Sequence, residues 1–403
     1  MSTLKVNKIE ATGTTDGGIE IDSDGHVQFD GVQLPTTGAL SNRNIIINGA
    51  MVIGQRANLS NETTPKYGKC DRWFVNVLGA STKNYNCSQV NACKPEEGFE
   101  RGLEFENINS VTPASNDGAI VSQIIEGNNL QSIRKGTTGA QPITLSFWAR
   151  SSRAGTYVVD LYDADNNRQT GKSYSLEAAV WKHVVLTFPA DTTGAFDLDN
   201  AASLYINWWL GAGSDFTGGS ALNTSWQTNV QNVRAVGLES SFMTTAGSTF
   251  NLTGVQLEVG EKATPFEHRS IGDELARCQR YYCKSSDLDV IAGVGDTYTD
   301  SGKFFAGVAN AYASNSAYTQ NFYFPVEMRT KPGTIVVIPT SLVADSVQGE
   351  FTYYDASDPG WERATASIQS STSKDVCFVI AGTWGTGSSL IYGAFTAEAE
   401  LGI

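Results

Sequence analysis

Gly254-Val-Gln-Leu-Glu-Val-Gly260 is followed at once by Ala263-Thr-Pro-Phe-Glu-His-Arg269 and then by Asp273-Glu-Leu-Ala-Arg-Cys-Gln-Arg-Tyr-Tyr282. Val255, Leu257 and Val259 alternate with polar residues, the period-2 pattern of a strand with one buried face. Gly260 and Pro265 stop that strand. Ser270 then opens a helix, with Asp273 three residues on as a capping-box partner. Leu275, Cys278, Gln279 and Tyr282 fall on one face of it. A β domain therefore ends here, and a helix leads into more than a hundred further residues.

Working back from this junction, one strand follows another. Ile143, Leu145 and Phe147 share a face of Ile143–Arg150, as do Tyr157, Val159 and Leu161 of Tyr157–Tyr162. Val184, Leu186 and Phe188 do so in Trp181–Phe188, and Leu204, Ile206, Trp208 and Leu210 in Leu204–Leu210. Each run is bounded by Gly, Asp, Asn or Pro, a rhythm that predicts a jelly-roll-like β-sandwich and not a parallel α/β sheet. In the last strand Phe250 and Leu252 are out of phase with Val255, Leu257 and Val259. A bulge near Gly254 would restore the register, since glycine tolerates one. Earlier in the chain, Ile45–Ile47 reads as a strand buried on both faces.

Composition bounds the function. At 403 residues the chain exceeds one ordinary domain. The 18 Phe, 15 Tyr and 8 Trp, with only 17% charged residues, predict a mainly β protein with many turns. A net charge of −14 without a basic cluster argues against nucleic acid as a partner. No apolar run approaches membrane-spanning length, so no membrane insertion is expected, and no signal peptide is recognised after Met1. Synthesis in a cytoplasm follows from that reading. The six cysteines fit no zinc motif and are expected reduced; a Cys87–Cys93 disulfide stays open.

The organisation falls into four parts. Residues 1–40 carry short β-like pieces (Leu4, Val6 and Ile9, then Ile19 and Ile21, then Val27 and Phe29) separated by Asp-Gly turns, too few apolar residues for an independent core. Residues 41–268 form the sandwich and 269–285 the connecting helix. Residues 286–403 form a second C-terminal β-sandwich, with strand candidates at Val290–Ala292, Phe304, Phe322, Ile335, Cys377 and Ile391, closed by Phe395–Leu401.

Side chains that carry chemistry are sparse. His26, His183 and His268 are far apart and fall in different modules, and no nucleophile elbow or His-Glu-x-x-His occurs. Asp160, Asp163 and Asp165 cluster, as do Glu96, Glu97 and Glu100, but in turn-like sequence rather than as an opposed pair; no catalytic residue and no cofactor is expected. Asp163, Asp165 and Asn167 have the alternating oxygens of a calcium loop without its glycine and terminal glutamate, so a β-turn is the stronger reading. Trp148, Trp181 and Trp209 are out of phase with the core sets of their strands, as is Tyr162. They either stack on sugar rings or are covered by loops or a neighbouring subunit. The helix face Leu275, Cys278, Gln279 and Tyr282 would be exposed in a lone subunit, which predicts a trimer interface.

The order of strand, Thr-Pro-Phe-Glu-His-Arg and Cys-Gln-Arg-Tyr-Tyr resembles the junction of tail fibre and receptor-binding proteins of tailed bacteriophages. Asn42-Arg-Asn-Ile-Ile-Ile-Asn-Gly-Ala-Met51, Asp71-Arg-Trp-Phe74 and the Met-Ser-Thr-Leu-Lys-Val-Asn opening are similar to motifs of the same proteins. The resemblance implies a homotrimeric fibre in the virion, attached to a tail or baseplate protein through residues 1–40. It also implies a sandwich like a carbohydrate-binding module, and a tip that meets a host-surface polysaccharide. Tyr298, Tyr312, Tyr353, Tyr354 and Trp361 are the tip's candidate contacts. The alternatives are a polysaccharide depolymerase tailspike, with carboxylates brought together between subunits, and a structural spike that binds no receptor.

Overall fold

The computed structural model describes residues 41–79, 82–288, 316–338, 348–355, 360–381 and 390–402, together with short strands within 1–40 and 304–313. In the first segment β1 (Lys8–Ile9), β2 (Ile19–Ile21), β3 (Val27–Phe29) and β4 (Val32–Gln33) pair in order as an antiparallel meander.

The sandwich takes β5 (Leu59–Glu62), β6 (Lys66–Tyr67), β7 (Trp73–Leu78), β8 (Tyr85–Lys94), β9 (Phe99–Asn107), β10 (Gly118–Glu126), β11 (Ile143–Ser151), β12 (Gly155–Asp163), β13 (Arg168–Leu176), β14 (Lys182–Phe188), β15 (Ala202–Ala212), β16 (Gln227–Thr228) and β17 (Ser248–Val259). Their sheets run β16-β13-β12-β15-β10-β7-β6 and β14-β11-β17-β9-β8-β5. The alternating residues of the sequence meet between them. Leu145, Phe147, Val159, Leu186, Trp208 and Leu257 lie in one core, where the Trp208 ring packs against Trp73 at 5.4 Å and edge-on to Phe147 at 5.6 Å.

The irregularity in β17 is a bulge. Ser146 pairs with Gln256 and Trp148 with Thr253, so Gly254 and Val255 together stand opposite Phe147. Gly254 has φ +60°. The extra residue rotates the strand, and Phe250, Leu252, Val255 and Leu257 are all fully buried in the same core.

The outer face of the seven-stranded sheet is covered. Between β15 and β17 the chain forms α1 (Ser214–Thr217) and α2 (Ser241–Thr244). Phe216 and Ala235 bury Trp209, Val158 and Ile120 in a second cluster. Ile45–Ile47 is not a strand. Ile45 donates to the Leu257 carbonyl at 2.9 Å, and Ile47 exchanges hydrogen bonds with the Gln123 side chain at 2.9 Å. Caught between the two sheets, the segment sends Ile46 into the main core and Ile47 into a separate cluster.

After β17 comes α3 (Ile271–Gln279), whose Asp273 amide donates to Ser270 Oγ at 3.2 Å, as the cap predicts. Beyond it lie β18 (Tyr282–Lys284), β19 (Phe304–Gly307), β20 (Ala311–Ala313), β21 (Ser316–Tyr318), β22 (Phe322–Tyr323), β23 (Thr334–Ile338), β24 (Glu350–Asp355), β25 (Gly360–Ser371), β26 (Asp375–Ala381) and β27 (Leu390–Glu398). β27 is their hub, pairing with β18, β19, β23 and β24 along its length. This second β body has its own core around Phe351, Phe378 and Phe395. The closing strand starts earlier than expected and stops at Glu398. Val290–Ala292 lies outside the described residues.

The helix face is not left open. Cys278 and Tyr281 are buried in one cluster with Ile47, Ile53, Ile124 and Leu401, with Leu275 packed against it. Tyr282 is buried against the Arg56 guanidinium, 3.7 Å from its ring centroid, and Gln279 is half-buried. The seam expected to face other subunits thus packs on its own chain, because Ile47, Ile53, Ile124 and Leu401 converge on it.

Around that seam the sandwich and the second body share a buried polar joint. Arg72 pairs with Glu400, donates to the Ile124 carbonyl at 2.6 Å and stacks on Tyr281 at 3.5 Å. Arg56 bridges Glu398 at 2.9 Å and Glu400 at 3.1 Å. Arg280 grips Glu126, while Arg329 donates to the Asn200 carbonyl at 2.6 Å. Asn48 ties in the rest, accepting from Trp73 Nε1 at 3.0 Å and donating to the Asp71 carbonyl at 3.0 Å. Burial pushes the Asp71 carboxyl up to about 6, with Arg56 beside it pulling the other way. The motifs at 42–51, 71–74 and 278–282 are therefore parts of one joint.

Candidate functional site

The outward side of β17 explains where the junction goes. Thr253, Gln256 and Glu258 point away from the core yet are at most 2% exposed. The loop after the strand folds back over them. Thr264 donates to Glu258 through its amide at 2.8 Å and its hydroxyl at 2.7 Å. Glu267 donates its amide to Gln256 Oε1 at 2.8 Å and accepts the Asn44 amide at 3.0 Å. Arg43 reaches the Pro265 carbonyl at 3.1 Å, and Arg269 the Ile46 carbonyl at 3.0 Å. Buried polar groups need such partners, and together they fix the loop as a rigid wall.

That wall closes a groove of about 750 Å³ against the outer face of β14, β11 and β17. The floor is built by strand pairing. Trp148 on β11 stands directly opposite His183 on β14, with ring centroids 5.0 Å apart. The Lys94 ammonium sits 4.7 Å from the Trp148 ring centroid, a cation–π contact that steadies the indole. On the other side Phe99, His268 and Phe266 form a cluster: Phe99 stacks on His268 at 5.4 Å and meets Phe266 edge-on at 4.9 Å. Ser146, Thr264, Lys262 and Glu97 supply the polar groups of the lining. Burial lowers the His183 pKa, and the nearby Glu97 carboxylate opposes that shift.

Five aromatic rings around a groove with a few hydroxyls and charges make a surface for a ligand with flat apolar faces and a polar rim. Glu97 is the sole carboxylate in the lining.

Two histidines 85 positions apart in sequence, His183 and His268, thus line one groove, and the junction is its wall. Of the aromatic candidates, the lining takes only Trp148. Trp209 is fully buried, its indole donating to Asp160 at 2.5 Å, so it is covered by the chain itself. Tyr162 is half-buried on the far sheet, 5.2 Å beneath Arg234. Trp181 is half-buried and not in the lining. In the second body Tyr353 is 2% exposed and belongs to the core, which removes it as a contact. Tyr354 and Trp361 are half-buried neighbours across β24 and β25, 5.4 Å apart, and Tyr392 packs edge-on to Trp361 at 5.0 Å. Tyr298 and the side chain of Tyr312 lie outside the described residues, as does His26.

The calcium reading fails on geometry. Asp163 is buried against the Lys135 ammonium at 2.6 Å, and Asp165 accepts the Asp197 amide at 2.9 Å. Asn167 accepts from Asn229 at 3.1 Å. The three oxygens serve three partners, and no metal-holding group of acidic, His or Cys residues occurs among the described residues. Cys87 and Cys93 are free. Six residues apart on extended β8, their α-carbons are separated by roughly 20 Å, far beyond disulfide reach.

No protein-family profile matches the chain, and no curated protein matches it. Among solved structures it is similar to the enzymatically active domain of bacteriophage CBA120 tailspike protein 4, at 11% identity and TM-score 0.26, covering 47% of this chain and 19% of that one. It is also similar to the CBM22-1–GH10 modules of a Clostridium thermocellum endo-1,4-β-D-xylanase complexed with xylohexaose, at 11% identity and TM-score 0.26, covering 54% of this chain and 30% of that one. A third is the family 11 carbohydrate-binding module of the same organism in complex with a β-1,3-1,4-mixed-linked tetrasaccharide, at 10% identity and TM-score 0.27, covering 52% of this chain and 98% of that one.

Proposed function

We propose that the protein binds a glycan through the groove between β14, β11, β17 and the 261–268 wall, and that it does so as an adhesin of a tailed-phage tail fibre. The observation that carries this reading is the convergence of Trp148, His183, Phe99, Phe266 and His268 on one groove. Sugar rings present flat C–H faces that pack on such rings, while hydroxyls pair with Ser146, Thr264 and the rim charges. In this reading residues 1–40 attach to the tail or baseplate in the virion, and both β bodies face the host surface.

The role proposed is binding and not hydrolysis: among the described residues the groove lining holds Glu97 alone, where most glycosidases use a pair of carboxylates. Incubating the full chain with purified host-surface polysaccharide should pull the protein down with intact glycan. Oligosaccharide release would instead make it a depolymerase, and no association at all would leave a structural spike.

We further propose that the fibre is a homotrimer. Since the helix seam is occupied within one chain, the contact between copies lies elsewhere, and the N-terminal meander is the proposed place. Light scattering should then read three times the 43.2 kDa of one chain. A monomer mass for the full chain would reject it. Three linked sites raise avidity without any new contact.

A further inference from the structure

A second concavity, of about 320 Å³, lies at the mouth of the sandwich beside the joint. Gly54, Gln55, Arg56, Lys69, Gln89 and Arg101 line it, with no carboxylate in the lining among the described residues. In a chain of net charge −14 three cations around one pocket are a local reversal. Arg101 shares the face of β9 that carries Leu103, and it pairs in register with Asn91 as Leu103 does with Gln89. It therefore points to the mouth between the sheets. The Arg56 charge is already shared with Asp71, Glu398 and Glu400. Among the described residues the Arg101 guanidinium donates only to the neutral Asn91 amide oxygen, and Lys69 has no ion pair. Gln89 donates to the Met51 carbonyl at 2.6 Å and Gln55 to Asp71 at 2.6 Å, so each amide is fixed. Neither amide's Oε1 accepts a hydrogen bond among the described residues.

We propose that this pocket binds an oxyanion, the carboxylate or phosphate of an acidic saccharide. Lys69 and Arg101 supply the charge, and the two glutamine Oε1 atoms accept from hydroxyls. The volume suits one sugar unit.

The test is calorimetric titration of the full chain at low ionic strength with inorganic phosphate, glucuronate and glucose at millimolar concentration. Phosphate or glucuronate should bind, and added salt should weaken the binding. The Lys69→Gln/Arg101→Gln variant should weaken it about tenfold. Tighter binding of glucuronate assigns a carboxylate source; tighter binding of phosphate assigns a phosphate source. Trp148→Ala should leave this binding unchanged, which separates the pocket from the groove. The proposal is overturned if neither anion binds, if glucose binds as well as glucuronate, or if the double variant binds as the parent does. Should the double variant lower Tm, Arg101→Gln alone, at an exposed position, carries the same comparison.

Discussion

Replacing Arg72 with methionine is expected to destabilise the folded chain by about 3–5 kcal/mol, the cost of breaking a buried ion pair from one side. Arg72 is 1% exposed, and its partner Glu400 is 7% exposed with a fully buried side chain. Removing the guanidinium leaves Glu400 with Arg56 alone at 3.1 Å and leaves the Ile124 carbonyl without its donor. The stack on Tyr281 is lost as well. Methionine fills much of the space, so the measured loss reports charge more than cavity. Glu400→Gln should cost less, because the amide can still accept from Arg72. The effect should appear in urea unfolding as an earlier separation of the two β bodies, since the pair spans them. A loss below about 1 kcal/mol would mean that water reaches the joint.

The second large effect is at Gly254. Gly254→Ala is expected to cost about 2–4 kcal/mol, combining a left-handed backbone penalty with overpacking. The φ of +60° is one that side chains rarely adopt, and an added Cβ would lie 2.7 Å from the Phe99 ring. Phe99 cannot yield freely, being held by Phe266 and His268. The same substitution should therefore disturb the groove and weaken glycan binding. Gly272 is the control. It sits in α3 with nothing within 4 Å of an added Cβ and without a positive φ. Gly272→Ala should leave stability equal or raise it by up to about 1 kcal/mol. Thermal unfolding of both variants checks the contrast. Equal Tm values would contradict the bulge as described.

Strand faces were legible in the sequence because period-2 alternation is a local property. Leu204, Ile206, Trp208 and Leu210 needed only their own spacing, and the phase slip between Leu252 and Val255 was enough to locate the bulge. The groove was not legible, because it is made by register. Trp148 and His183 are 35 positions apart, and only the β11–β14 pairing sets them side by side. Phe266 and His268 sit in the quoted junction, where no pattern says which strand face the loop will cover. One signal was available: Thr253, Gln256 and Glu258 include groups that need partners if covered, and the polar loop just after them could supply those partners. The apolar face of α3 was read correctly as apolar and wrongly as free. Spacing shows that a face must be buried, and here Ile47, Ile53 and Ile124 from far earlier in the chain and Leu401 from far later bury it.

The central claim is that the aromatic groove holds a glycan, and Trp148 is the residue to remove. Trp148 is half-buried on the outer face of its sheet, so Trp148→Ala should leave Tm nearly unchanged. The decisive measurement is calorimetric titration of the full chain and its Trp148→Ala variant with host-surface polysaccharide fragments. The proposed function predicts saturable binding by the parent and a loss on the order of tenfold to a hundredfold in the variant, the size expected of an aromatic anchor. Equal affinity in the two proteins would contradict it.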